Sequence, residues 1–226
     1  MFFKLMKYKI EGTSIQHIVI NLNPKESVYV NPGHLIWKSS TVNVNAAVQG
    51  GIFSGISRKL TGSSFFVLKL TGPGMVDLTG YVPGKIVEIN VNNYEIFVEH
   101  SGFLAAESSI KYGATLTKLG FGILAGEGLL MAKFSGIGKL FLHAPGDILQ
   151  LNINAGESVD VEAGHVLAYT AGTKVSFKRV GGIKTMFLGG EGLFFAHLEG
   201  PGFVWIKTLS RLQLIEGLMP ELSRFR

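Results

Sequence analysis

The sequence predicts an all-β protein built from three tandem units, and three observations carry that expectation. A glycine frame occurs three times at the same offsets: Gly62 leads to Gly72 and Gly74, Gly126 to Gly136 and Gly138, and Gly190 to Gly200 and Gly202. The three lead glycines are evenly spaced, and a fixed period is the mark of a tandem repeat. A second element precedes each frame, with the pattern Asn, aliphatic, Asn, two variable residues, Glu: Asn21 to Glu26, Asn90 to Glu95 and Asn152 to Glu157. Each is followed by a turn glycine, at Gly33, Gly102 and Gly164. The runs between these markers are short, alternate apolar residues with polar ones and end in turn formers, as strands joined by short connections do.

Composition sets the outer bounds. A chain of 226 residues that is 46% hydrophobic and 16% charged can bury a substantial core, which excludes a disordered chain. The 30 glycines follow no collagen-like triplet, so they read as turns between strands. With no cysteine, disulfides and thiolate metal sites are excluded, and a reducing compartment suits the composition. The net charge of +5 is mild and does not by itself argue for nucleic acid or an anionic membrane. Met1 to Ile10 mixes lysines among apolar residues, so it reads as a strand and not as a signal peptide. No apolar run approaches the roughly 20 residues of a spanning helix, so a soluble protein with no membrane span is expected.

Taken in order, the units run over residues 8–82, 83–146 and 147–210, followed by a C-terminal tail over 211–226. In the first unit the segment from Gly50 to Leu60 spaces Ile52, Ile56 and Leu60 as one short helical turn would. The runs Phe65 to Leu70, Leu129 to Phe134 and Leu193 to Leu198 lie inside the three glycine frames. Alternation puts Phe66, Leu68 and Leu70 on one face and Phe65 and Val67 on the other, so these strands need cover on both sides. The Gly-x-Gly that follows reads as a tight turn, and Met75 to Leu78, Lys139 to Leu142 and Phe203 to Ile206 read as returning partner strands, one hairpin per unit. The tail, with Leu212, Leu214 and Leu218 around Pro220, reads as a docked or mobile segment.

Gly50-Gly51-Ile52-Phe53, the three Gly-rich elements, and above all Gly190-Glu191-Gly192-Leu193-Phe194-Phe195 followed by Glu199-Gly200-Pro201-Gly202-Phe203-Val204-Trp205-Ile206 resemble the altered-inheritance-of-mitochondria family. The resemblance covers about Tyr8 to Ser210, with Ser63 standing where Glu127 and Glu191 occur in the other units. It implies three tandem β-sandwich repeats in a pseudo-threefold arrangement, similar to the tryptophan RNA-binding attenuation protein and here called TRAP-like, with three chains closing into a ring-like trimer. It also implies a protein without an assigned activity, cytoplasmic in prokaryotes, and it offers no ligand-binding residue to carry over.

Enzyme signatures are absent. Gly80-Tyr81-Val82-Pro83-Gly84-Lys85 is one residue short of a phosphate loop and lacks the Ser or Thr after Lys. Gly120, Gly122, Gly126 and Gly128 do not form the dinucleotide pattern, and neither a Gly-x-Ser-x-Gly nor a His-Glu-x-x-His occurs. No catalytic residue, cofactor or metal is therefore assigned.

Three weaker constellations remain. His34 and His165 both follow turn glycines, with Phe103 in the middle unit; with Glu26 or Glu157 they could form a cupin-type metal site, although hydrogen bonding beside a turn is the commoner role. The triplicated Asn and Glu residues could converge on a small ligand, but Asn more often satisfies turn backbone. Lys69, Lys133 and His197 occupy one place in each unit, and ring closure would set them out as a periodic basic array for a single strand of RNA. They are the candidate nucleic-acid contacts, although exposed aromatic platforms are missing and Lys at the end of a buried strand commonly reaches for water. The sequence thus predicts a non-enzymatic assembly or binding protein that forms a closed homo-oligomer, a trimer. Single-stranded RNA binding is the alternative and a cupin-type enzyme the third reading.

Overall fold

The computed structural model describes residues 6–47, 67–115, 131–180 and 193–222. The lead glycines Gly62, Gly126 and Gly190, Phe65, Phe66, and the short helical turn expected between Gly50 and Leu60 lie outside the described residues. Within them the chain is nearly all β, with several antiparallel sheets and one α-helix.

After β1 (Lys7–Glu11), six strands follow: β2 (His17–Leu22), β3 (Ser27–Val30), β4 (Leu35–Lys38), β5 (Asn43–Ala47), β6 (Val67–Thr71) and β7 (Gly74–Thr79). The next six are β8 (Gly84–Asn92), β9 (Ile96–Glu99), β10 (Phe103–Glu107), β11 (Lys111–Thr115), β12 (Met131–Ser135) and β13 (Ile137–Pro145). The last six are β14 (Ile148–Ile153), β15 (Ser158–Glu162), β16 (Val166–Thr170), β17 (Lys174–Val180), β18 (Leu193–Glu199) and β19 (Gly202–Lys207). Helix α1 (Arg211–Leu222) ends the described chain.

Strands pair in the same order in each set of six. The first, sixth and third strands form one sheet segment, as β2-β7-β4, β8-β13-β10 and β14-β19-β16. The fourth, fifth and second form another, as β5-β6-β3, β11-β12-β9 and β17-β18-β15. A bulge recurs at one place in each set, between Leu35 and Trp37, Phe103 and Ala105, and Val166 and Ala168. Such a bulge redirects the strand and lets residues on either side of it point into different cores. Phe103 joins the central core and Leu104 the N-terminal one.

This pairing corrects the expected hairpins. β6 pairs with β3 and β5, whereas β7 pairs with β2 and β4 in a different sheet; β12 and β13, and β18 and β19, are likewise divided between sheets. The Gly-x-Gly turn carries the chain across a sandwich from one sheet to the facing one. The reason is the burial that the sequence did announce: a strand apolar on both faces, such as β12 with Met131, Ala132 and Phe134 all buried, is better covered by a facing sheet than by its own successor.

Adjacent sets are stitched together by strand pairing as well. β3 of the first set pairs with β10 of the second, and β9 of the second pairs with β16 of the third, which makes two six-stranded sheets that each span two sets. Three cores lie between the sheets. One is built on Ile18, Val28, Leu70 and Phe141, a central one on Phe103, Phe134, Leu142 and Trp205, and one on Val166, Leu198 and Val204.

The C-terminal segment, expected as a docked or mobile tail, is helical over Arg211–Leu222. Ser210 caps α1, accepting from the Gln213 N–H at 3.2 Å while the Gln213 side chain accepts from the Ser210 N–H at 3.0 Å. This reciprocal pair is a capping box, Ser-x-x-Gln, and was legible at positions 210 and 213.

Candidate functional site

Two places combine exposure, charge and unsatisfied groups: a cavity at one end of the sandwiches, and the two strand edges that the stitching leaves open. The cavity, of about 440 Å³, is walled by the turn after β3, the β7–β8 connection, the short 3-10 turn after β9, the ends of β13 and β19, and α1. Two glycines make room for its rings. Gly33, at φ +88°, would with a Cβ come within 2.2 Å of the Tyr81 hydroxyl, and a Cβ on Gly80 would come within 2.0 Å of the His143 ring.

His34 and His143 stand in that wall, 2% and 5% exposed. His34 donates from Nδ1 to the Thr79 carbonyl at 2.7 Å, which fixes the tautomer of the neutral ring and leaves Nε2 as a bare acceptor. Neither His34 Nε2 nor His143 Nε2 has a hydrogen-bond partner. Burial pushes the pKa of His34 down against the pull of that carbonyl. Burial first, and the neighbouring His34 second, push His143 down to about 4, so both rings are neutral near pH 7. His100 is lowered too, by burial, with Glu99 opposing and Arg211 adding to the effect. At the same end Lys207, 1% exposed, is ion-paired with Glu99 of the preceding set.

His34 and His165, weighed as partners in a metal site, each take the hydrogen-bonding role beside a turn. His165 donates from Nδ1 to the Lys207 carbonyl at 2.7 Å and pairs through Nε2 with Glu162 at 3.0 Å. The strand register also corrects the middle set, because β10 begins one residue sooner after its turn glycine than β4 and β16 do. Leu35, Phe103 and Val166 are equivalent at the bulge, so Gly102, not Phe103, stands where His34 and His165 do. Among the described residues no group of three or more His, Asp or Glu is placed to hold a metal ion.

The Asn and Glu motif splits in the same way. The Glu26 carboxylate accepts from the Asn23 backbone and side-chain N–H at 2.8 Å each, and Glu157 does the same for Asn154 at 3.0 and 2.9 Å. These are local turn locks. In the middle set Glu95 instead pairs with Lys133 at 2.8 Å, since the pairing register of β9 runs one residue earlier relative to the Asn pair and sets Glu95 where Ser27 and Ser158 stand. A polar contact common to all three sets was invisible in the sequence because its residue types differ. The side chains of Ser39, Glu107 and Thr170 accept from the backbone N–H of Met75, Lys139 and Phe203 at 2.9, 2.9 and 3.0 Å.

Lys69, Lys133 and His197 do occupy one register position, opposite Tyr29, Phe97 and Asp160. Lys133 is engaged by Glu95, and His197 by Asp160 at 2.6 Å.

Among the described residues, β4 and β15 are the edge strands whose counterparts in the other sets take part in the stitching. The stitching uses the second strand of one set and the third strand of the next, so among the described residues β4 lacks the neighbour that β10 and β16 have, and β15 lacks the one that β3 and β9 have. Exposure follows. Ile36 and Trp37 of β4 are 52% and 42% exposed, while their counterparts Leu104, Ala105, Leu167 and Ala168 are each 0% exposed. Where Phe141 and Trp205 fill cores at the internal junctions, the first set has Asp77, which accepts from Trp37 Nε1 at 2.9 Å and pairs with His17 Nδ1 at 2.8 Å.

Fold and edges together define a strand-sharing array of β-sandwiches in which, among the described residues, β4 and β15 are each paired on one side only. No helix among the described residues is long and apolar enough to cross a membrane, which says nothing of membrane barrels. The chain belongs to the mitochondrial biogenesis AIM24 family, whose pattern it matches over residues 8–209. It is 23% identical over 203 residues to an uncharacterised protein of Streptococcus pyogenes serotype M6, covering 85% of this chain and 81% of that relative. It also resembles the crystal structure of a Streptococcus pyogenes protein solved by a structural genomics consortium, with a TM-score of 0.78, 22% identity and coverage of 96% of this chain and 99% of that one. At that identity the likeness speaks for the fold alone.

Proposed function

We propose that this is a non-enzymatic, cytoplasmic assembly protein whose three six-strand sets are tandem TRAP-like units and whose working form is a closed homo-oligomer of three chains. The observation that carries the reading is the exposure of β4, where Ile36 and Trp37 face solvent at a place that is wholly buried in the other two sets. Open strand edges with apolar side chains are a liability that ring closure removes. The recurring pairing order and the recurring bulge support the tandem units. Sedimentation equilibrium at micromolar concentration tests it: a mass three times 24.4 kDa is expected, and a 24.4 kDa monomer throughout overturns it.

A second reading attaches to the end cavity and is favoured by the two partnerless imidazole nitrogens in its wall. It is that of a binding protein for a small molecule bearing N–H or O–H donors, since buried acceptors cost free energy until they are met. Native mass spectrometry of the purified protein should show a mass excess that is lost in His143→Phe. An apo mass for the wild type would dismiss this reading.

A further inference from the structure

We infer that copies of this chain join head to tail by direct pairing of β15 of one copy with β4 of the next, held in register by a Lys38–Asp160 ion pair across the seam. The inference rests on the closed oligomer proposed above and specifies its interface.

The register follows from the two junctions within the chain. At the first, Ala105, Ala106 and Glu107 lie opposite Val30, Tyr29 and Val28; at the second, Ala168, Tyr169 and Thr170 lie opposite Val98, Phe97 and Ile96. The bulge and the pairing to the sixth strand make Trp37, Lys38 and Ser39 the counterparts of Ala105, Ala106 and Glu107. Pairing to the fifth strand makes Val161, Asp160 and Val159 the counterparts of Val30, Tyr29 and Val28. The same antiparallel pairing between copies therefore sets Trp37 opposite Val161, Lys38 opposite Asp160 and Ser39 opposite Val159.

The chemistry at these positions fits a second copy. Where the internal junctions place Ala106 beside Tyr29 and stack Tyr169 on Phe97 at 5.2 Å, the seam places a cation beside a carboxylate. Directly opposed unlike charges favour one register, and a slip would break the pairing. Asp160 already has His197 on its other side at 2.6 Å, so the seam would flank this carboxylate with two groups of basic character. Its side chain is 54% exposed in the single chain and free to accept more. Trp37 would bring its exposed ring over Val161, extending the core that Leu198 and Val204 build in the third set. An ionic seam also differs from an aromatic junction in kind, because salt weakens it.

The sequence offers a clean test, since it contains no cysteine. Opposed residues of an antiparallel pair have Cα atoms about 4.5–5.5 Å apart, within disulfide reach. The double variant Lys38→Cys/Asp160→Cys should crosslink on oxidation into a covalent oligomer in denaturing gels, and neither single variant should. Charge reversal is the second arm. Lys38→Asp and Asp160→Lys should each weaken association by about tenfold or more, and the two reversals combined in one chain should restore it. An oligomeric wild type whose mass ignores both reversals and whose cysteine pair stays uncrosslinked overturns the seam and leaves the closed oligomer standing. A monomeric wild type overturns both.

Discussion

The two junctions inside the chain and the two edges at its ends use the same strands in the same roles, but they are furnished differently. Internally, Phe141 and Trp205 are buried in apolar cores and Lys207 is buried against Glu99. At the ends, the place of Phe141 is taken by Asp77 with its Trp37 and His17 partners, and that of Glu99 by Glu162 in an accessible pair with His165. The first furnishing suits a contact that never sees water, the second a surface that must be soluble before it meets its partner. Free energies should divide along that line.

The largest effect expected is at the internal core. Phe141→Ala removes a ring that is 0% exposed and should cost about 3–5 kcal/mol in denaturant unfolding. Its end counterpart Asp77→Ala loses only partly exposed hydrogen bonds, worth about 1–2 kcal/mol. Equal costs would erase the distinction. Next, Glu99→Gln leaves the Lys207 ammonium buried without its counter-charge, for a loss of about 3 kcal/mol. Glu162→Gln should cost under about 1 kcal/mol because its pair is solvated.

Acidification should act through His143. Its folded pKa of about 4 lies below the ordinary 6.5 of the unfolded chain, so the unfolded chain takes up the proton first. Stability is full above pH 6.5 and falls as pH drops from 6.5 toward 4, by up to about 1.4 kcal/mol per pH unit from this group. Melting curves of His143→Gln should show a shallower acid slope than wild type; parallel slopes would mean the ring is not held neutral. The smallest effect belongs to Trp37→Ala, which in a dilute, monomeric sample should shift stability by under about 1 kcal/mol because the ring is half exposed.

Much of this contrast could be read from the chain before its structure, and the rest could not for definite reasons. The all-β class and the burial of Val67 and Leu70 and of Met131, Ala132 and Phe134 follow from glycine spacing and alternation. Partnership did not follow. Nothing in Gly72-Pro73-Gly74 says whether β7 returns beside β6 or crosses to the facing sheet, because both need the same tight turn. The cavity was hidden because its wall comes from residues as distant as His34, His143 and Arg211, and because Thr79, His143 and Lys207, equivalent by register, share no residue type. One-residue shifts in the middle set misaligned Glu95 and Phe103, a displacement that only pairing reveals.

The most direct measurement is hydrogen exchange of the backbone amides of β4 and β15, compared with β10 and β3, across a dilution series. Strand pairing between copies predicts that residues 35–38 and 158–162 are protected to the level of their internal counterparts when concentrated and lose that protection together on dilution. Rapid exchange at both edges in a sample that is demonstrably oligomeric would contradict the account.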